Sequence, residues 1–283
     1  MDSLVLPAEL EREIFEIAAL LDFHTIPSLL RVAGRVLEWI EPMLYRVVRI
    51  GHSSQKDEAY RRVFELKPTV LAKGVQHLFV TDLSHWPEDD VCRLLRLCAP
   101  QLLSLGSTST FYKPTLLPIL LHTVRLRRWA GRLEYLFGDH SAVDLGFPAF
   151  RTITHMDIFD EFTDENDEAI CAGLSALPHL THLCLNDTTS LDTIPRIFTQ
   201  CLRLQLLVLM DADEEIINEI ADNPPTADVR FVVSGLGSYS SDWEVGARGG
   251  TDFWIAGDEF VARKRRGEIE ASRYLLDHFQ GYV

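Results

Sequence analysis

A short apolar phrase, Leu-x-x-Leu-x-Leu, recurs along this chain and constrains its fold more than any other feature. Its most regular copy begins at Leu180 and continues through Leu183 and Leu185. Together with looser copies, which have Val, Ile, Met or Trp at some positions, the copies start at 75, 102, 124, 153, 180, 204 and 229. The mean step is about 26 residues, and a unit this short cannot bury its apolar side alone. We therefore expect neighbouring units to stack.

A period of roughly 20–29 residues is typical of leucine-rich repeats, in which each unit supplies a strand and then a helix or turn. Two segments between the phrases, 87–101 and 163–178, combine early acidic residues, an apolar stripe of helical period and a proline stop. Such segments are typical helices. We predict an α/β fold in which an irregular leucine-rich-repeat solenoid spans 74–234 and follows a connecting segment, 51–73.

Composition excludes several classes of protein. The formal net charge is −15, which disfavours binding to the phosphates of nucleic acid. The longest strongly apolar run, 116–121, is far shorter than the roughly 20 residues of a bilayer span, so no membrane association is expected. Five scattered cysteines indicate free thiols in a reducing compartment. We expect a cytoplasmic protein; Arg-Lys-Arg-Arg at 263–266 is either a nuclear import patch or a basic helix end.

Residues 1–50 do not follow the repeat. Pro7 suits a first helical turn, and an apolar stripe of helical spacing follows it from Leu10 to Leu21. A second helix is predicted from Pro27 to Pro42. A unit of this size is only marginally stable by itself, so we expect it to pack against the rest of the chain or against a partner.

This N-terminal segment resembles an F-box. The residues that carry the resemblance are Leu6, Pro7, Glu9, Ile14, Phe15, Leu30, Val32, Ala33, Arg35, Val36, Pro42, Leu44, Tyr45 and Arg46. Ala33 and Val36 stand where the family usually has Cys and Trp. The resemblance implies binding of a Skp-type adaptor, with the whole chain acting as substrate receptor of a Skp–cullin–F-box ubiquitin ligase. The implied adaptor-binding residues are Leu6, Pro7, Leu10, Ile14, Leu30, Val32 and Val36. The alternative is a helical cap for the solenoid that no longer binds an adaptor.

The C-terminal region, 235–283, is rich in tryptophan, glycine and charge. A helix is predicted from Thr251 to Arg266, with Gly267 as its stop, and Trp243 is suited to covering an exposed core. The combined layout of F-box-like start, repeats and this tail resembles a large group of mushroom-type fungal proteins of unassigned function.

Strand residues alternate between two faces. If Leu183 and Leu185 point inward, a row of residues lies on the other face of the sheet. These candidate target-binding residues are His77, Phe79, His155, Asp157, His182, Cys184, Leu206 and Val208. In this frame His155 and His182 stack on adjacent strands. The alternative is that the tail folds back and covers this face, since apolar residues in such a row need a partner or a cover.

Chemistry-bearing motifs are scarce. His179, His182 and Cys184 offer ligand types that zinc accepts, but packed neutral histidines explain them without a metal. No recognisable nucleophile, paired-carboxylate or phosphate-loop motif is present. We therefore expect a non-catalytic interaction scaffold without cofactor or metal, whose target protein is unknown. The first interpretation is the ubiquitin-ligase receptor, and the alternative is a repeat scaffold with no ligase link.

Overall fold

The fold is a single parallel β-sheet with helices packed on it. The computed structural model describes residues 6–162, 167–186, 190–235 and 237–276. The strands in this part of the chain are β1 (Val47–Ile50), β2 (His77–Val80), β3 (Ser104–Ser107), β4 (Arg128–Gly131), β5 (His155–Ile158), β6 (His182–Asn186), β7 (Leu206–Met210) and β8 (Phe231–Ser234). All neighbouring pairs are parallel, and the strand order follows the sequence order from β1 to β8.

Helices connect the strands and cover the sheet. They are α1 (Ala8–Leu21), α2 (Ile26–Leu29), α3 (Gly34–Ile40), α4 (Ser54–Leu66), α5 (Pro68–Gly74), α6 (Glu88–Cys98), α7 (Leu117–Leu120), α8 (Leu133–Phe137), α9 (Asp167–Ala176), α10 (Thr193–Gln200), α11 (Glu214–Asp222), α12 (Tyr239–Ala247) and α13 (Phe253–Arg266). Short 3₁₀ turns occupy Phe23–Thr25, Glu41–Tyr45, Ala99–Gln101, Pro114–Leu116, His140–Ala142 and Pro148–Thr152. The predicted α/β class and the strand-then-helix order are confirmed.

The repeated apolar phrase sets which residues face the connecting helices. One apolar residue of each strand forms a row across the sheet, and every member is buried: Val48, Leu78, Leu105, Trp129, Met156, Leu183, Leu207 and Phe231. The copy assigned to position 229 is wrong by one residue, because Phe231 lies in this row whereas Val232 lies on the other face of the sheet. The copy assigned to position 124 is wrong by two residues, because Leu126 is fully buried whereas Val124 is 68% exposed. This side of the sheet and its helices form the main hydrophobic core.

The chain passes from the N-terminal helices into the sheet before residue 50. β1 lies inside the segment assigned to the N-terminal unit, yet it pairs with β2 along its whole length. Tyr45, Val48 and Ile50 follow the same spacing as the other copies and pack into the main core. The segment 51–73 is likewise part of the packed structure, since Phe64 and Leu71 are buried in that core.

The N-terminal helices form their own small cluster beside β1. Ala19, Ile26, Val36 and Ile40 are its buried residues. The helix predicted from Pro27 to Pro42 is broken into α2 and α3, with Ala33 in an extended conformation between them. The 3₁₀ turn that follows α3 lies close against the end of α5, because a Cβ at Gly74 would lie 2.1 Å from the carbonyl oxygen of Pro42.

The C-terminal helices cover the second face of the sheet. α13 begins two residues later than predicted, with the Asp252 carboxylate accepting from the Ile255 N–H as N-cap. It ends at Gly267 as predicted, in the left-handed conformation with φ +72°. Within this region α12 and α13 lie across the sheet face, and the residues after α13 reach β8, the last strand. Tyr274 and Leu275, which follow α13, contact β8.

Candidate interaction surfaces

The N-terminal helices carry an apolar stripe that faces solvent. Leu10, Ile14, Ile17 and Leu21 recur at intervals of four, three and four residues, so they share one side of α1. Their exposed fractions run from 47 to 83%. We call these four residues the α1 stripe. A leucine or isoleucine gains roughly 1.5–3 kcal/mol when fully buried. An unpartnered stripe of this kind therefore marks a surface suited to a protein partner.

The structure separates the implied adaptor-binding residues into two groups. Leu6, Pro7, Leu10, Ile14 and Val32 are exposed, and Leu30 is half-buried. Val36 is wrongly assigned, because it is fully buried. The break before α3 turns this side chain into the helical cluster, where it helps hold the unit together and is closed to a partner.

Charged contacts join α1 to α3 and join the N-terminal unit to the rest of the chain. The Arg35 guanidinium donates to both carboxylate oxygens of Glu11, at 2.9 and 2.6 Å, and joins α1 to α3. This hydrogen bond lowers the pKa of Glu11 and raises that of Arg35. Lys67 donates to Glu41 at 2.6 Å and ties the same unit to the residue before α5. The α1 stripe is thus displayed on a unit that contacts α5 and the residue before it.

The second candidate surface is the sheet face opposite the connecting helices. The predicted alternation is confirmed, since His155 pairs with His182 and Asp157 with Cys184 in register. The prediction that this face binds a target is wrong for the structure as it stands. Of the eight candidates, His77, Phe79, Asp157, His182, Cys184, Leu206 and Val208 are buried, and His155 is half-buried. The physical reason is that α12 and α13 lie on them.

The cover over β6–β8 is apolar. Leu206 and Val208 share a cluster with Phe253, Trp254 and Phe260 of α13. The approach is close, because a Cβ at Gly257 would lie 2.7 Å from a methyl carbon of Leu206. Lys264 donates to the Phe231 carbonyl at 3.0 Å, and burial lowers the pKa of this amine to about 8. These contacts dock α13 firmly on the sheet.

The two histidines stack as predicted. Their ring centroids are 4.1 Å apart at an interplanar angle of 10°, and the Trp254 ring lies edge-on against both. Thr154 Oγ1 lies 2.8 Å from His155 Nδ1, and His182 Nε2 lies 3.1 Å from an Asp258 oxygen. Burial, then the neighbouring His182, lowers the pKa of His155 to about 2, so this ring is neutral. No group of three potential metal ligands occurs among the residues that the structure describes.

Asp157 is the most unusual ionisable group on the covered face. Its side chain is buried beside the Tyr239 hydroxyl and the Cys184 thiol. Burial raises its pKa to about 8, outweighing the lowering influence of those two neighbours. Because an unpaired buried carboxylate is costly, the neutral acid is the favoured form at neutral pH.

Asp157→Asn should therefore change how stability depends on pH. A raised pKa means that the folded state holds the proton, so the stabilisation is complete below about pH 4 and is lost as pH rises towards 8. Asparagine does not titrate. The unfolding free energy of the variant relative to the unmodified protein should rise by on the order of 1–3 kcal/mol between pH 5 and pH 8 in denaturant titrations. A difference that stays constant with pH would show that Asp157 does not titrate in this range.

All five cysteines lie in the described part of the chain, and none of them forms a disulfide bond there. Cys98, Cys171, Cys184 and Cys201 are buried, and Cys92 is half-buried. Within the same residues, none of the helices combines the length and the apolar character needed to cross a bilayer.

Comparison with protein families and with curated protein sequences gives no match for this chain. The interpretation of both surfaces therefore depends on their geometry and chemistry.

Proposed function

We propose that this protein is a non-catalytic receptor that brings two proteins together. The N-terminal helices, as an F-box-like segment, bind a Skp-type adaptor, and the remainder, as an irregular leucine-rich-repeat solenoid, carries a target to a Skp–cullin ubiquitin ligase. Such a receptor works by raising the local concentration of the target beside the ligase. The single observation that carries the proposal is the exposure of the α1 stripe.

Exposure of large apolar side chains is concentrated at the N-terminus. Leu6, the α1 stripe and Val32 all lie within the first 32 residues, whereas exposed leucines such as Leu66 and Leu202 occur singly along the rest of the sequence. Isolated apolar residues on a surface are ordinary, but a stripe along one helix suits docking against an apolar groove.

The solenoid part of the proposal is supported by the order of the elements. Each strand pairs with the next one in the chain, and helices or turns return the chain to the end of the sheet at which every strand begins. This nearest-neighbour stacking is the arrangement expected of repeat proteins.

Adaptor binding is tested with the purified full-length chain and a purified Skp-type adaptor. The unmodified protein should co-elute with the adaptor in size-exclusion chromatography. Leu10→Asp with Ile14→Asp should abolish co-elution, because each change places a carboxylate in an apolar interface whose anchors contribute about 2 kcal/mol or more. Leu202→Asp is the matched control, since Leu202 is 80% exposed in a different part of the chain.

Two results would overturn the ligase role. One is that the unmodified protein forms no complex with the adaptor, and the other is that the Leu202 control loses binding as fully as the α1 variant. The first result would favour the alternative function, a repeat scaffold with no ubiquitin-ligase link.

A further inference from the structure

A pocket lies where the N-terminal helices meet the residue that follows α12. Its apolar walls come from the N-terminal unit, and its charged side chains come from the chain next to β1 and to α12. The lining residues include Leu20, Phe23, Ile26, Met43, Arg46 and Arg248. Two guanidinium groups therefore share one small space with apolar side chains. This combination suits a ligand that carries a negative charge beside an apolar group.

Arg46 lines this pocket without a carboxylate of its own. It directly precedes β1 and is half-buried. Across the described part of the chain, no carboxylate forms an ion pair with its guanidinium, and the charge that acts on it is that of Arg248, which has the same sign. Burial, and then Arg248, lowers the pKa of Arg46. Because arginine stays charged at any physiological pH, this positive charge is left uncompensated.

The one carboxylate nearby is already shared by two other arginines. Glu244 accepts from Arg49 at 2.8 Å, and its other oxygen accepts from Arg248 at 2.9 and 3.0 Å. Arg46, Arg49 and Arg248 together thus bring three positive charges to a single carboxylate. An anion that enters the pocket would restore the balance.

The neighbouring His77 responds to the same excess of positive charge. Burial, and then Arg46, lowers the pKa of this imidazole to about 3, with smaller effects from Arg128 and Arg248. The ring is therefore neutral at neutral pH and does not add to the positive charge.

The pocket adjoins the C-terminal end of the α1 stripe. Leu20 lines the pocket, and it lies three residues after Ile17 and next to Leu21, which both belong to the stripe. Leu20 is 54% exposed, and Phe23 is 42% exposed beneath the Arg248 guanidinium, at 4.9 Å from the ring centroid. A protein that covers the end of the stripe therefore reaches the pocket.

The charge of the whole chain makes this position distinctive. The formal net charge is −15, so most of the surface repels an acidic segment. A local excess of arginine beside an exposed apolar stripe is complementary to an acidic residue with apolar neighbours. Complementarity of this kind favours one orientation of a bound protein over others.

We propose, resting on the receptor role above, that this pocket binds an acidic side chain of the adaptor that covers the α1 stripe. The adaptor carboxylate pairs with Arg46 and supplies the negative charge that no described residue gives to this guanidinium. Apolar atoms next to that carboxylate pack on Leu20 and Phe23.

Fluorescence anisotropy with a labelled, purified Skp-type adaptor and the full-length chain measures this pairing. Arg46→Met should weaken the affinity at least about tenfold, because it removes one partner of an enclosed ion pair. Arg46→Lys keeps the charge and should bind with intermediate affinity. Arg151→Met is the matched control and should bind like the unmodified protein, since Arg151 is exposed in the turn before β5.

The salt dependence gives a second readout of the same pair. Raising the salt concentration from about 50 mM to about 500 mM should weaken the unmodified protein more than Arg46→Met, which has no pair left to screen. Equal salt dependence of the two proteins would overturn the proposal.

The stability of Arg46→Met separates binding from folding. Its denaturant midpoint should not fall, because no ion pair within the chain is lost and a like charge beside Arg248 is removed. A loss of affinity accompanied by a lower midpoint would give Arg46 a structural role and overturn the site. Unchanged affinity of Arg46→Met would overturn the site and leave the receptor role intact, whereas failure of the unmodified protein to bind the adaptor would overturn both.

Discussion

Trp129→Ala should lower the free energy of unfolding by about 3–5 kcal/mol, the range for removing a large buried aromatic side chain. Trp129 is fully buried in the main core. Its ring stacks on Tyr112 with centroids 4.3 Å apart and meets Phe150 edge-on at 5.4 Å. Removing the indole leaves a cavity between the sheet and the helices, and also removes two aromatic contacts worth about 0.5–1.5 kcal/mol each.

Denaturant titration followed by circular dichroism measures this loss. Trp129→Phe is the matched control, because it keeps a ring at the same place and should lose clearly less stability. A loss below about 1 kcal/mol for Trp129→Ala would mean that this side chain is not in the packed core.

Leu183→Ala should lower the free energy of unfolding by about 2–5 kcal/mol. Leu183 lies in the middle of β6, fully buried, with Met156 and Leu207 beside it in register. Leu202→Ala is the control and should change stability by no more than about 0.5 kcal/mol, because that side chain is 80% exposed. Thermal unfolding of the two variants compares them directly. Similar losses would contradict the assignment of Leu183 to the helix-facing side of the sheet.

Much of the strand arrangement could be predicted from the repeated phrase. Strands β2–β8 each lie at or close to a predicted copy, because helix-facing positions need large apolar side chains at fixed spacing. The phrase did not locate β1, whose copy begins at Tyr45 and has valine and isoleucine in place of leucine. It also placed one copy at Val124, where Leu126 is the buried residue. Short apolar runs leave such register choices open.

The candidate surfaces were predicted less well, for a physical reason. Alternation along a strand identifies the face to which Phe79 and Val208 belong, but a cover comes from residues distant in sequence, such as Trp243 and Trp254. Two sequence features pointed to such a cover. One is the row of apolar side chains on a face that was expected to be open, and the other is the C-terminal tail, which is rich in tryptophan. Sequence periodicity does not show that the C-terminal tail packs on this face of the sheet.

In the N-terminal unit too, the sequence did not show which apolar residues are exposed and which are buried. Ile14 and Val36 are both apolar helix residues in the segment that resembles an F-box, yet Ile14 is 53% exposed and Val36 is fully buried. The break at Ala33 decides this difference, since it sets how α3 turns relative to α1. Gly34, directly after Ala33, is a helix-breaking residue in the sequence, but it does not show in which direction α3 turns.

Hydrogen–deuterium exchange of the full-length chain, with and without a saturating Skp-type adaptor, tests the central claim most directly. If the α1 stripe is the adaptor-binding surface, the backbone amides from Arg12 to Leu21 should exchange more slowly in the complex. The amides of β6, which lie inside the sheet, should be unchanged. A complex that leaves the α1 amides unprotected, or protection confined to the sheet, would contradict the assignment of the N-terminal helices as the partner-binding surface.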